Sequence, residues 1–509
     1  MQSKSYRFLL LVACVAIMLT GVSITGMAQD SNSECEMDWN PTFPEFDAYD
    51  PPIQIDTPFP GAVTFIGDDD FTDNPMYNRV VEQLGIEYTI AWQSDDNTQL
   101  QNAIASGNLP EMFAAGGTGG DAIAQLGLLI DNGAVADITD IWEEEASALT
   151  QELKGYPDAD MWVSMTRDDR IYGIAFTYGP AYNIDNLGFI RQDWLDQLGL
   201  PMPTTIEELE TTMQAFVDAG LSTYGVNANR ALVTWYMSLD HIFGAFGSMP
   251  RTWIETEDGT LEYGSIQPEN RDALEVLARW YDDGLIDPDF FTYGQGDSAS
   301  LVLSEDVGVW FAPWWGAGVV GQLTDAVEGA EVSLLPPITG PDGDSGRKGS
   351  ATTGASVMFR ANADENVIRA AIRQLNWQIE MHHNWEEYQQ YGEWRNSHAF
   401  VEGYEWIFDE ECNVVAGPVD NSYIYTNEVG MGFPYITYPS YQANIFADMA
   451  EWLTVDESEL NSAQQFLISN PQVVREVQYY NNAVDTIDQA YIDPFLGASS
   501  ERMTDLLPD

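Results

Sequence analysis

Lysine is nearly missing from this chain of 509 residues. It occurs at Lys4, Lys154 and Lys348 only, and lysine and arginine together number 19 against 81 aspartates and glutamates. Without a basic stripe there is nothing to grip a polyanion, which excludes nucleic acid as a partner and argues against an anionic membrane surface. Histidine is also scarce: His241, His382, His383 and His398 make no zinc spacing with the 3 cysteines, so no metal site is expected. Catalytic signatures are absent as well. There is no Gly-x-Ser-x-Gly elbow, no His-Glu-x-x-His and no phosphate loop. With 81 acids, carboxylate pairs occur everywhere and carry no weight for glycoside hydrolysis. No catalytic residue and no cofactor is expected.

Long apolar runs are confined to the start. Lys4 and Arg7 precede the stretch Phe8 to Leu19, and Gly26-Met27-Ala28 supplies small residues before polar Gln29-Asp30. Residues 1–28 therefore read as a secretory signal peptide, and the mature chain as exported, periplasmic or extracellular. Leu11-Val12-Ala13-Cys14 is a poor lipoprotein box, because apolar sequence continues after Cys14. Cys35 and Cys412 are what remains after cleavage. In an oxidising compartment they form a candidate disulfide; two free thiols are the alternative.

What is plentiful points to folded lobes. Hydrophobic residues make up 45% and aromatics 12%, enough for large cores despite a net charge of −62. The length suggests two or three lobes. Acid excess with so little lysine fits a salty habitat, or an acidic secreted protein kept soluble by charge.

Along the chain, residues 29–60 are rich in Pro and Asp and read as an extended arm. Strands are expected at 63–66, 86–92, 111–114, 170–176, 186–190, 307–311, 332–335 and 355–359. Helices are expected at 75–84, capped by Asn74, and at 96–106, 121–131, 140–153, 191–198, 268–283, 366–388 and 471–490. Thr204 and Glu207 stand in capping-box register for a helix starting near 205. Leu274, Leu277, Ala278 and Tyr281 are expected on the buried stripe of 268–283. The βα alternation implies a mainly parallel sheet.

Aromatic clusters are the most informative local feature. Trp310-Phe311-Ala312-Pro313-Trp314-Trp315-Gly316 puts three tryptophans beside a strand end, and Tyr178 and Tyr182 follow another strand. Flat rings beside polar groups suit the C–H faces of sugars, although large aromatics are also ordinary core residues. Trp314 and Trp315 are candidates for sugar stacking, and Trp194 is assigned to the core. Trp235 stands near Arg230, a scarce cation that would suit an acidic sugar. Asp68-Asp69-Asp70 reads as a turn of solvated acids, a ligand contact or a metal site.

Six segments in order resemble family 1 extracellular solute-binding proteins of ABC importers, the maltose-type carbohydrate binders. They are Leu100 to Ala114, 168–176, 188–209, 281–291, 307–315 and 334–343. The resemblance implies an α/β, two-lobe periplasmic-binding-protein-like fold (type II), with the ligand cleft between lobes joined by crossing segments near 177–185 and 336–350. It places lobe one at 61–180 plus 350–400, and lobe two at 181–349 plus 401–509. It also implies ligand contacts at Asp69, Asp70, Gly116, Gly117, Tyr178, Tyr182 and Trp314, to which the reading of the residues adds Trp315, Arg230 and Trp235. The expected role is the binding component of an importer, a monomer that closes on an oligosaccharide and delivers it to permease subunits. A secreted glycoside hydrolase or lyase, or a cell-surface structural protein, is the alternative.

Overall fold

The computed structural model describes residues 46–59, 70–93, 98–115, 120–157, 160–177, 186–233, 236–256, 258–313, 316–349, 353–383, 406–408, 412, 414–416, 449–460, 465, 468–469, 471–483 and 490–491. In chain order the strands are β1 Ile53–Phe59, β2 Ile86–Gln93, β3 Met112–Ala115, β4 Thr166–Arg167, β5 Arg170–Ile171, β6 Ile174–Thr177, β7 Leu187–Arg191, β8 Trp253–Glu255, β9 Leu261–Tyr263, β10 Val309–Ala312, β11 Val332–Leu335, β12 Arg347–Lys348, β13 Thr353–Phe359, β14 Trp406–Phe408, β15 Val414–Ala416 and β16 Ala490–Tyr491. The helices are α1 Pro75–Leu84, α2 Thr98–Ser106, α3 Gly120–Asp131, α4 Thr139–Glu145, α5 Ala148–Leu153, α6 Gln192–Leu198, α7 Ile206–Asp218, α8 Asp240–Gly244, α9 Asn270–Asp282, α10 Gln295–Leu303, α11 Ala317–Ala326, α12 Glu365–His383 and α13 Pro471–Ala483.

The first sheet region combines parallel β1–β2 with antiparallel β3–β13–β6, and β1 lies against β3. This corrects the expectation of a mainly parallel sheet. A second correction concerns its first strand. β1 occupies Ile53–Phe59, inside the stretch expected to be an arm, whereas 63–66 lies outside the described residues. The prolines misled because Pro58 sits where the pairing with β2 skips between Thr57 and Phe59, a position that needs no ladder donor. The alternation Ile55, Thr57, Phe59 faces inward.

Helix α12 packs on β1, α1, α4 and α5, although more than 200 residues of chain separate it from the latter two. Polar contacts fix its rotation. Trp377 Nε1–H donates to Gln83 Oε1 at 2.7 Å, and Asn376 Oδ1 accepts from Ser147 N–H at 3.0 Å and from Thr150 Oγ1 at 2.7 Å. The expected helix 140–153 is broken at Ala146 and Ser147. Ser147 accepts from Thr150 N–H and caps the second piece.

The second sheet has the order β10–β7–β11, both pairings antiparallel. Alternate residues serve two faces. Leu187, Phe189, Trp310 and Ala312 join a cluster with α10, α11 and α13, whereas Ile190, Val309, Phe311 and Leu335 meet α6, α7, α8 and α9. Trp194 is buried on the latter face, as expected.

Two helix readings are corrected here. The cap of α7 is Thr205, which accepts from Glu208 N–H at 3.2 Å, while Glu208 reaches back to Thr204 N–H at 2.9 Å. The capping residues therefore stand one position later than expected. On α9, Leu274 and Tyr281 are 48% and 42% exposed, and Ala278 is exposed as well. The buried stripe is Ala273, Val276, Leu277 and Trp280, rotated because Trp280 is the residue that fills the core and donates to Glu210 Oε2.

Candidate functional site

Strand registers bring widely separated chain segments to one end of each sheet. In the second sheet, Ala312 pairs with Leu187, and Leu335 with Gly188. Val226 bridges Val309 in parallel, and Asn227 N–H donates to Val309 O at 2.9 Å. Pro313, Asn186, Pro336 and Asn229 therefore leave the sheet at the same end. Gly316 N–H closes a turn onto Pro313 O at 2.7 Å. In the first sheet, Ser356 pairs with both Ala115 and Ala175, and Thr353 with Thr177. The ends of β3 and β6 and the start of β13 thus coincide.

A buried polar cluster fixes the root of these segments in the second sheet. Asp240 is fully buried. Its Oδ1 accepts from Asn186 Nδ2 and from Ser238 Oγ, the latter at 2.6 Å. Its Oδ2 accepts from Lys348 N–H at 2.6 Å. His241 sits 2.6 Å from Asn186 O through Nε2. A carbonyl only accepts, so Nε2 carries the proton. Burial lowers the His241 pKa, with the nearby Asp240 charge opposing it. The neighbouring Arg347 is also buried.

Backbone contact tightens the same region. A Cβ on Gly340 would lie 1.7 Å from Ala245 O, and one on Gly244 would lie 2.1 Å from Gly346 O. The segment 338–348 is therefore seated on α8 up to Lys348.

Of the ligand-contact candidates drawn from the sequence, two are described. Asp70 is exposed, and its Oδ1 accepts from Thr72 N–H at 2.7 Å and Thr72 Oγ1 at 2.9 Å. These bonds hold its carboxyl below the usual range. It builds its own turn, in line with the turn-acid alternative among the three sequence readings. Arg230 is exposed, and its N–H donates to Tyr293 O at 3.2 Å. Asp69, Gly116, Gly117, Tyr178, Tyr182, Trp235, Trp314 and Trp315 lie outside the described residues. Cys412 is disulfide-bonded, and Cys35 lies outside the described residues. Among the described residues no group of three or more His, Cys, Asp or Glu is placed to hold a metal ion, and no helix is long and apolar enough to cross a membrane.

Sequence reasoning passed over Asn186, Ser238, Asp240 and Lys348. The signal that was there is an acid and a histidine inside the apolar stretch 236–246. It also passed over Lys154, a fully buried lysine whose Nζ donates to Ala175 O at 3.0 Å on β6. Burial lowers its pKa to about 7.

The family of bacterial extracellular solute-binding proteins matches residues 78–372. The polygalacturonan/rhamnogalacturonan-binding protein YtcQ of Bacillus subtilis is 23% identical over 299 residues, covering 54% of this chain and 54% of its own. The fructooligosaccharide ABC transporter substrate-binding protein FusA of Streptococcus pneumoniae is 22% identical over 323 residues, covering 59% and 55%. The chain thus spans about half the length of the curated relatives it matches. Among solved structures, FusA in complex with fructo-nystose has a TM-score of 0.53 at 15% identity, over 86% of this chain and 96% of that one. The alginate-binding protein AlgQ2 without calcium ion has 0.54 at 17%, over 87% and 98%. A solute-binding protein of Bifidobacterium longum infantis, described as binding HMO, has 0.56 at 15%, over 87% and 84%. These likenesses show the fold, an α/β architecture of the periplasmic-binding-protein type.

Proposed function

The chain belongs to the bacterial extracellular solute-binding proteins, and on that footing we propose that it is the extracytoplasmic binding component of an ABC importer for an oligosaccharide. The observation that carries this is the convergence of strand ends. β3, β6 and β13 open at one end of the first sheet, and β7, β10, β11 and the 225–229 segment at one end of the second. In the sequence the candidate contacts follow these segments: Gly116 and Gly117 after β3, Tyr178 and Tyr182 after β6, Trp314 and Trp315 after β10, and Trp235 beyond Asn229. Open α/β sheets bind ligands at such ends. Asp69 and Asp70 would contribute from the segment that leads into α1.

In this reading the tryptophans stack on sugar faces while loop amides and carboxylates take the hydroxyls. The two lobes have the boundaries given by the family resemblance, and closure of one on the other buries the ligand and presents both to the permease. The protein works as a monomer outside the cytoplasmic membrane and performs no chemistry on its ligand. The names of the curated relatives YtcQ and FusA support a glycan as cargo.

A thermal-shift screen of the mature chain against mono- and oligosaccharides tests the reading. A ligand at one hundred times its Kd should stabilise the fold by about 2.7 kcal/mol. If no sugar in a panel of neutral and acidic glycans raises the melting temperature while a peptide or polyol does, the carbohydrate assignment is wrong.

A further inference from the structure

We propose that Arg230 makes the site selective for a carboxylate-bearing oligosaccharide, a uronate-type glycan, by pairing with a ligand carboxylate. The proposal rests on the carbohydrate reading above and narrows its substrate class.

Three observations carry it. The first is that Arg230 has no ionic partner among the described residues, in a chain crowded with acids. Among the described residues seven other arginines make ion pairs with carboxylates, and no described carboxylate pairs with Arg230. Its side chain is nevertheless exposed.

The second is that its backbone is rigidly placed. Asn229 is fully buried, and its Nδ2 donates to Tyr236 O at 3.1 Å and Met237 O at 2.9 Å, while its Oδ1 accepts from Ala231 N–H at 2.8 Å. Arg230 N–H is held by Tyr293 O. The acid bonded to Tyr293 is already in use: Asp287 Oδ2 accepts from Tyr293 Oη at 2.8 Å, and its Oδ1 from Asp289 N–H at 2.9 Å.

The third is location. The parallel bridge between Val226 and Val309 delivers Arg230 to the end of the sheet where Asn186 and Pro313 also emerge. An exposed guanidinium carried on a fixed stretch of backbone recognises a carboxylate through paired hydrogen bonds. With a net charge of −62, the chain's general field repels anions. That field is screened beyond about 10 Å at 0.1 M salt, so a bound carboxylate needs a cation in direct contact.

Isothermal titration of the mature full-length chain with hexagalacturonate, hexamannuronate, methyl-esterified hexagalacturonate and maltohexaose in 0.1 M salt tests this. The wild type should bind at least one uronate hexamer. Arg230→Ala should weaken that binding about 10- to 100-fold, the range of a charge-assisted pair, and Arg230→Lys should recover part of it. Neither substitution should change the melting temperature of the free protein, since the side chain is exposed. Unchanged uronate affinity in Arg230→Ala overturns the proposal. So does wild-type binding of maltohexaose without either uronate, an outcome that leaves the carbohydrate reading standing. Failure of every glycan to bind overturns both.

Discussion

Replacing Lys154 by Met should make the protein more stable at neutral pH and no more stable at high pH. Lys154 is fully buried against β6, and burial lowers its pKa from 10.5 to about 7. The unfolded chain keeps the lysine charged up to its ordinary pKa. Between pH 7 and 10.5 the unfolded state therefore binds a proton that the folded state does not, and stability from this group rises with pH across that window. It is fully present above 10.5 and lost as the pH falls to 7. At 1.36 kcal/mol per pH unit, the interval is worth about 5 kcal/mol. Methionine matches the length of the stem and carries no charge to desolvate. It forfeits the bonds of the amine, that to Ala175 O among them, at about 1 kcal/mol each at any pH. Urea unfolding of wild type and variant, followed by tryptophan fluorescence at several values from pH 7 to 10, reads the difference directly, and tyrosine titration cancels in it. The variant should lead by several kcal/mol at pH 7, with the lead vanishing toward pH 10.5. A difference that does not vary with pH would refute the claim that a desolvated amine is buried there.

Three further substitutions probe the packing and the root of the site. Gly340→Ala would drive a Cβ to 1.7 Å from Ala245 O, a backbone atom that cannot rotate away. It should cost about 1–3 kcal/mol or more in denaturant unfolding, and an unchanged midpoint would show that the 338–348 segment is not seated on α8 as described. Trp280→Ala empties a fully buried site and removes one donor from Glu210, which keeps its pair with Arg279, so a loss of about 3–5 kcal/mol is expected, mostly from the cavity; Trp280→Phe should lose less. Asp240→Ala removes the acceptor of three donors, on Asn186, Ser238 and Lys348. A donor left without an acceptor costs about 1–3 kcal/mol, although Asn186 Nδ2 keeps Ser238 Oγ at 3.1 Å, and hydrogen exchange at the Lys348 amide should accelerate well beyond that at Ile190, which a uniform rate would contradict.

Local periodicity made most of the fold legible. The extents of α1 and β11 were expected residue for residue, and Asn74 caps α1 by accepting from Tyr77 N–H. The failures have physical causes. Pro58 looked like a strand breaker, but it occupies the one place in β1 where the ladder skips. On α9 the expected stripe took in Leu274, Ala278 and Tyr281 and left out Trp280, whereas the helix turns Trp280 inward. Sheet direction was beyond a reading of single segments. β13 comes back antiparallel between β3 and β6 after an excursion of about 175 residues through the second sheet, and no property of Thr353–Phe359 alone records that return.

The site divides along the same line. Its candidate aromatics and Arg230 announce themselves because they stand as clustered rings or as a scarce cation in the sequence. The groups that hold the site in place do not. Asp240 is one acid among 81, and its partners Asn186, Ser238 and Lys348 stand 54, 2 and 108 positions away. In so acidic a chain a carboxylate acquires meaning only through desolvation. Among the described residues most acids lie in water or, like Asp70, bond to the next turn of their own backbone. Asp240 is dry and collects donors from the segment before β7, the segment before α8 and β12. Charge was therefore the wrong quantity to follow along this sequence. The informative acid was the one embedded among Met237, Leu239, Ile242 and Phe243, where burying an ion is costly unless the surrounding chain is folded to satisfy it.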